Sequence, residues 1–357
     1  MRMQKHTVGA LLLAVLLLIA GSALLTGAQQ PVPREEPQGP LPPPPSQEEE
    51  APYALRVDVP IVNVDVTVVD KNGNFITGLE RNHFRVYQDE QEQEIVAFAP
   101  SAAPLTTVLL VEANPALGYL MWDNLDAAYL FLRQLRKGDW IALMSYDLKP
   151  RLEVDFTQNS QDIAAALRHL QFPAGFREAN MFDAVADTLD RMKDIEGKKS
   201  IIVIGTGLNT FSRHTWDDVQ KIAREHRTVI YGIGMTWVLQ LYYERAESYG
   251  YNTSIPRMNL LTAEAQMKAL AEQTGGRAYF PRFVSEMPSI YSEIGAMLRN
   301  QYSLAFRPKD LTRDGKYRKI KIELVGPDGQ KLKVVNQDGK DVKYKIYARE
   351  GYYSPEA

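Results

Sequence analysis

From Val62 onward the chain alternates between two hydrophobic rhythms. Val62, Val64, Val66 and Val68 are interleaved with Asn63, Asp65 and Thr67, the period-two pattern of a half-buried strand. Lys71-Asn72-Gly73-Asn74 then reads as a hairpin turn. Phe84, Val86 and Tyr87, and after the polar turn Gln88–Gln93 also Ile95, Val96 and Phe98, supply further strands.

Between Leu105 and Asn300 strand and helix patterns take turns. Val108–Val111, Ile201–Ile204 and Val229–Ile233 are short continuous apolar runs, the mark of strands buried on both faces. Trp140–Tyr146 and Arg151–Phe156 form a hairpin through Lys149-Pro150. Met121, Trp122, Leu125, Tyr129, Leu132 and Leu135 fall at three- and four-residue spacing, a helical stripe closed by Gly138. Helices are also predicted over Ile163–Leu170, Phe182–Ile195, Ala263–Gln273 and Ser285–Arg299, with a short strand at Ala278–Phe280. Thr215 with Asp218 makes a capping box for a further helix. Such alternation predicts an α/β fold with a doubly wound, mostly parallel sheet.

Past Gln301 the pattern returns to strands. Tyr302–Phe306, Tyr317–Val325, Lys331–Val335 and Val342–Tyr347 are separated by turns at Asp314-Gly315, Pro327-Asp328-Gly329 and Asp338-Gly339. Each flanking β-segment is small for independent stability. The two are therefore expected to pair into one small β-sandwich built from N- and C-terminal segments. The expected division is 56–100 for the first β-module, 104–300 for the α/β domain and 301–357 for the returning β-segment.

Composition narrows the chemistry. The 357 residues contain no cysteine, which excludes disulfides, thiolate catalysis and a lipoprotein anchor at cysteine. A net charge of -3 offers nothing to a nucleic acid. Arg2 and Lys5 precede an apolar run, Val8–Leu25, and a small-residue exit, Thr26-Gly27-Ala28. That order predicts a signal peptide over 1–28 and hence export to the periplasm or beyond. The run also just reaches the ~18 residues that span a bilayer, so a membrane association follows if it stays uncleaved. Residues 29–55, rich in Pro, Glu and Gln, read as an extended linker.

Several short motifs share one order. They are Val64-Asp65-Val66-Thr67-Val68-Val69-Asp70 with Gly78-Leu79, then Phe84-Arg85-Val86-Tyr87-Gln88-Asp89, then Leu270-Ala271-Glu272-Gln273-Thr274-Gly275-Gly276-Arg277-Ala278. Arg299-Asn300-Gln301-Tyr302-Ser303-Leu304 and Arg349-Glu350-Gly351-Tyr352-Tyr353-Ser354-Pro355 complete the set. In this order they resemble exported von Willebrand factor A (VWA) proteins of Acidobacteria and related bacteria. The resemblance implies a Rossmann-like VWA fold and a non-enzymatic binding role, with no cofactor. The partner expected is another protein or an envelope component.

A VWA metal-ion-dependent adhesion site draws ligands from three loops: Asp-x-Ser-x-Ser, a Thr ahead of an aromatic-Asp-Ala helix start, and an Asp after a buried strand. Against that pattern Glu112 stands for the Asp, Asn114 and Ala116 for the two Ser, Ala179 for the Thr, and Thr206 for the last Asp. Too few hard oxygens remain for Mg²⁺, so the site is expected to be degenerate. Glu112, Asn114, Thr206 and Asn209 read either as a metal-free recognition patch or as caps of loops and helix ends.

Other signals point away from catalysis. Gly205-Thr206-Gly207 lacks a third spaced Gly and a Walker Lys. None of the five histidines falls in a metalloprotease motif, and no Gly-x-Ser-x-Gly occurs. Asp123 with Asp126, and His214 near Asp217 and Asp218, read as helix-start residues. Trp237 to Met258 forms an aromatic-rich insertion between a strand and a helix, read as a loop carrying Trp237, Tyr242, Tyr243, Tyr249 and Tyr251. Aromatics of this kind are enriched in binding interfaces, and equally can pack over their own domain.

Overall fold

The computed structural model describes residues 61–356 except 72, 101–102, 115–116, 118–127, 173–177, 250–255 and 336–340, all within the unit Val57–Ala357. The expected signal segment, the linker and the first half of the 121–135 stripe lie outside the described residues; 128–132 is helical.

Two large sheets organise the molecule. The first has the order β6-β5-β4-β7-β8-β9, built from β4 (Leu105–Glu112), β5 (Trp140–Tyr146), β6 (Pro150–Thr157), β7 (Lys198–Gly205), β8 (Thr228–Gly234) and β9 (Ala278–Tyr279). All neighbours are parallel except β5–β6, the hairpin at one edge. Numbered within the domain this is 3-2-1-4-5-6, the doubly wound order, and the direction of winding reverses between β4 and β7.

Every residue of β4 and β7 is buried, and the pleat sends alternate side chains to opposite layers. Leu109, Val111, Ile202 and Ile204 join Phe131, Ile163, Tyr291 and Ile294 on one face. Val108, Leu110, Ile201 and Val203 join Phe182, Val185, Leu189 and Val219 on the other. One of the helices covering these faces starts where the sequence places a capping box. The Thr215 hydroxyl accepts from the Asp218 N–H at 3.2 Å and the Asp218 carboxylate accepts from the Thr215 N–H at 2.8 Å, opening helix Trp216–Glu225.

The second sheet is antiparallel and seven-stranded, with the order β14-β1-β10-β3-β2-β11-β15. Its N-terminal members are β1 (Val62–Asp70), β2 (Phe84–Gln88) and β3 (Gln91–Pro100). From the C-terminal segment come β10 (Tyr302–Arg307), β11 (Tyr317–Leu324), β14 (Tyr344–Ala348) and β15 (Gly351–Tyr353). The two segments do pair, and they interleave: β10 lies between β1 and β3. The outcome is one continuous hydrogen-bonded sheet where two stacked sheets were expected. The remaining strands β12 (Val334–Val335) and β13 (Asp341–Val342) form a separate small ribbon. The β2–β3 turn places Asp89 and Glu90 at positive φ, the two-residue hairpin geometry that matches strand twist.

The antiparallel sheet reaches the α/β layer through several residues. Val69 and Tyr347 enter the α/β core. Thr274 bridges Arg349, and at Gly275, with φ +88, an added Cβ would lie 2.8 Å from the Arg349 backbone nitrogen. Only glycine permits both that conformation and that approach.

One expectation fails in this region. The segment read as an aromatic loop is largely helix, Thr236–Ser248, followed by helix Arg257–Gln273. Val238 and Leu239, buried on one side, anchor its first turns against the domain, and burial of an apolar face decides helix formation more strongly than aromatic content does.

Candidate functional site

Open α/β sheets bind ligands outside the carboxyl ends of their strands, at the point where winding reverses. Here that point is the end of β4, at Glu112, beside the end of β7, at Thr206. The Thr206 backbone N–H donates to Glu112 Oε2 at 2.6 Å and its hydroxyl donates to the same oxygen at 2.8 Å. Tyr146, from the end of β5, donates its hydroxyl at 3.5 Å. Asn114 adds a side-chain hydrogen bond.

Glu112 is fully buried. Beside it lies a cavity of about 30 Å³ lined mostly by apolar groups, among them Leu117, Ile204, Met235 and Tyr291. Burial pushes its carboxyl up to about 7, against the opposing pull of the Thr206 donors. Burial, and then the adjacent Glu112, drive the Tyr146 phenol far above its usual range. Gly205 makes the arrangement sterically possible, because an added Cβ would meet Glu112 Oε2 at 2.5 Å and the Tyr146 hydroxyl at 2.7 Å.

The other two loops are tied to each other. Thr210 and Ala179 exchange hydrogen bonds, with the Ala179 N–H donating to the Thr210 hydroxyl at 3.0 Å. Asn209 Oδ1 accepts from the Phe182 N–H at 3.1 Å and from the Ser212 hydroxyl. Asn180 Oδ1 accepts from the Phe211 N–H at 2.9 Å. Asp183, at the start of helix Met181–Arg191, accepts from the Arg213 and His214 N–H groups at 3.1 and 3.0 Å and lies 2.7 Å from His214 Nδ1. Burial pushes the Asp183 carboxyl up, but these donors outweigh it and hold it below the usual carboxylate range. His214, read from the sequence as a surface helix-start residue, is thus a partner of Asp183.

The structure therefore brings Glu112, Asn114 and Thr206 together and seats Ala179 and Asn209 in the neighbouring loops. Glu112, Asn114, Ala179 and Thr206 are buried and Asn209 is half-buried. Ala116 lies outside the described residues. Sequence reasoning missed Tyr146 and Gly205, whose roles depend on strand adjacency. The signal for Asp183 was present in Phe182-Asp183-Ala184. Among the described residues no cluster of three His, Asp or Glu side chains is placed to hold a metal ion. Of the positions compared with a cation site, Glu112 carries a carboxyl, and that carboxyl is already engaged by Thr206.

Around this end of the sheet the aromatic segment divides in two. Trp237 packs half-buried against the α/β core, and Tyr243 against Leu208, Leu239 and Leu260. Tyr249 points outward at 71% exposure, with Leu241 at 53%, Met258 at 69% and, on the 206–214 loop, Phe211 at 69%. The side chain of Tyr242, and Tyr251 entirely, lie outside the described residues.

Known proteins bear on the fold. No curated protein matches the chain. Among solved structures it is similar to BatB from Bacteroides thetaiotaomicron, at 14% identity and TM-score 0.41 over 55% of this chain and 100% of that one. It is similar to the vWF domain of the pilus tip protein Mfa5 from Porphyromonas gingivalis, at 11% and 0.40 over 56% and 96%. A von Willebrand factor type A protein from Catenulispora acidiphila gives 8% and 0.42 over 84% and 75%. Residues 118–208 match the family model of the von Willebrand factor type A domain, and with the mostly parallel sheet β6-β5-β4-β7-β8-β9 this supports a VWA-type α/β domain in the chain.

Proposed function

We propose that this is an exported, non-enzymatic VWA-type protein that binds another protein or an envelope component, and does so without a metal. VWA domains are typically interaction modules, and the match over 118–208 supports that class of role. The observation that carries the metal-free reading is the mutual engagement of Glu112 and Thr206. The groups standing where a cation would be ligated are turned into an internal lock. The contact surface is then expected on the rim of the same end, where Phe211, Leu241, Tyr249 and Met258 project. Exposed large apolar side chains beside a rigid scaffold favour partner contact. Export rests on the 1–28 segment, and the division at 29–55, 56–100, 104–300 and 301–357 belongs to the same reading.

A second reading has one observation in its favour. Tyr243 is packed into the small cluster with Leu208, Leu239 and Leu260, as a scaffold with no ligand at this end would also require. Photo-crosslinkers at positions 211 and 249, in native envelope with and without EDTA, separate the two. A discrete adduct, insensitive to EDTA and lost in Phe211→Ala/Leu241→Ala/Tyr249→Ala with little change in melting temperature, supports the binding reading. No adduct at either position, from a protein correctly localised, leaves the scaffold reading.

A further inference from the structure

At the opposite end of the α/β sheet lies a cavity of about 370 Å³ between the beginnings of β7 and β8 and the antiparallel sheet. Its lining is strongly cationic. Lys198 opens β7, Arg224 lies in the last turn of helix Trp216–Glu225, Arg227 precedes β8, and Arg349 comes from the C-terminal β-segment. Asp65 on β1 is the lining carboxylate, and one of its oxygens already accepts from the Ser303 hydroxyl.

These cations outnumber the one lining carboxylate, Asp65, whose charge acts on Lys198. Among the described residues none of Lys198, Arg224, Arg227 and Arg349 forms a salt bridge. Arg349 donates Nε to the Gly351 carbonyl at 2.7 Å and Nη2 to the Arg224 carbonyl at 2.9 Å, contacts that fix its guanidinium without neutralising it. Arg224 lies 5.1 Å over the Tyr317 ring, and its Nε is buried without a hydrogen-bond partner. Gln273 Nε2 and the Thr228 hydroxyl, both on lining residues, are likewise buried without partners. Buried donors left unsatisfied cost free energy; of the four cations Lys198 is buried, Arg224 and Arg349 are half-buried and Arg227 is exposed at the mouth.

The burden is visible on the groups themselves. Burial lowers Lys198 to about 8, and burial followed by the nearby Arg227 lowers Arg349 to about 10. Burial also lowers His226, at the cavity wall. Such a field calls for a compact ligand of at least two negative charges with several acceptor oxygens. A phosphate group meets both the charge and the fork geometry of arginine.

We infer that this cavity, walled by β1, β7, β8 and the Arg349 segment, is a binding site for a small soluble phosphate or phosphate monoester. The ligand would bridge the two sheets, accepting from Lys198, Arg227, Arg349 and Gln273. Its binding would stabilise the native state by mass action.

The test is a thermal-melt and calorimetric titration of the full chain with orthophosphate and glycerol 3-phosphate at constant ionic strength, with chloride and succinate as controls. The expected result is a saturable rise in melting temperature with both phosphates and none with chloride or succinate. Lys198→Met should weaken phosphate about tenfold or more while raising the melting temperature without ligand, because a buried charge whose desolvation outweighs the pull of Asp65 has gone. Arg227→Gln should weaken it comparably and serves if Lys198→Met does not fold. Lys149→Met, on the exposed β5–β6 turn, should bind as the parent does. Equal responses to chloride and phosphate, or phosphate responses unchanged in both cavity variants, would overturn the assignment. So would sedimentation with phosphatidylglycerol vesicles without any response to the soluble phosphates.

Discussion

Thr206 donates both its backbone N–H and its hydroxyl to one oxygen of Glu112, at 2.6 and 2.8 Å, across the seam between β7 and β4. A carboxyl that is held this way inside an apolar shell serves the fold. Its proton equilibrium becomes a property of the folded state.

The first prediction follows from that equilibrium. Glu112 binds its proton more tightly folded, with a pKa raised from 4.5 to about 7. Its contribution to stability is therefore complete below about pH 4.5 and is lost as pH rises through 7. The loss is at most about 3 kcal/mol from a shift of this size. Glu112→Gln keeps the shape and removes the titration. Denaturant unfolding from pH 4.5 to 8 should show a flatter stability profile for the variant, with the variant at least as stable at pH 8. Parallel profiles would mean that Glu112 does not titrate in this range.

Gly205 is the second test. A Cβ there would press on Glu112 and on Tyr146, both held in a buried, close-packed site. Gly205→Ala should cost ~2 kcal/mol or more through overpacking. Gly329→Ala provides a contrast: its φ of +73 strains any added Cβ, but no atom lies within 4 Å of that position. Of the two, only Gly205→Ala should disturb the chemical shifts of Thr206 and Tyr146.

The third concerns cations. Melts in Mg²⁺, Mn²⁺ or EDTA should superimpose, since a Kd far above the working concentration gives almost no linkage stabilisation. A rise specific to one divalent cation, abolished by Glu112→Gln, would restore a metal site at this end.

The fourth uses the interleaving of the antiparallel sheet. Leu304 is 1% exposed on β10, paired with Val64 of β1 and Phe98 of β3. Leu304→Ala should destabilise by about 3 kcal/mol. Hydrogen exchange should accelerate in β1 and β3 together. Acceleration confined to β10 would show that the N-terminal strands hold without the C-terminal segment.

Much of this protein was legible along the chain. The apolar runs of β4, β7 and β8 mark the strands buried on both faces, because a strand covered by helices on each side needs apolar residues at successive positions. The Thr215–Asp218 box and the Lys149-Pro150 turn are local, and local patterns survive folding. That Glu112, Asn114, Ala179 and Thr206 differ in residue type from the ligands of a VWA cation site is a reading of the letters alone. What the letters do not carry is adjacency. That Glu112 is closed by Thr206 and Tyr146 depends on β4 lying between β5 and β7, which pairing across the sheet decides. The Thr236–Ser248 segment reads as a loop by composition and is a helix because Val238 and Leu239 find a buried face. The return of the C-terminal strands to flank β1, and the gathering of Lys198, Arg224, Arg227 and Arg349 around one cavity, are long-range outcomes. Lys198 and Arg349, 151 positions apart, line the same cavity, and no periodicity within a segment encodes that.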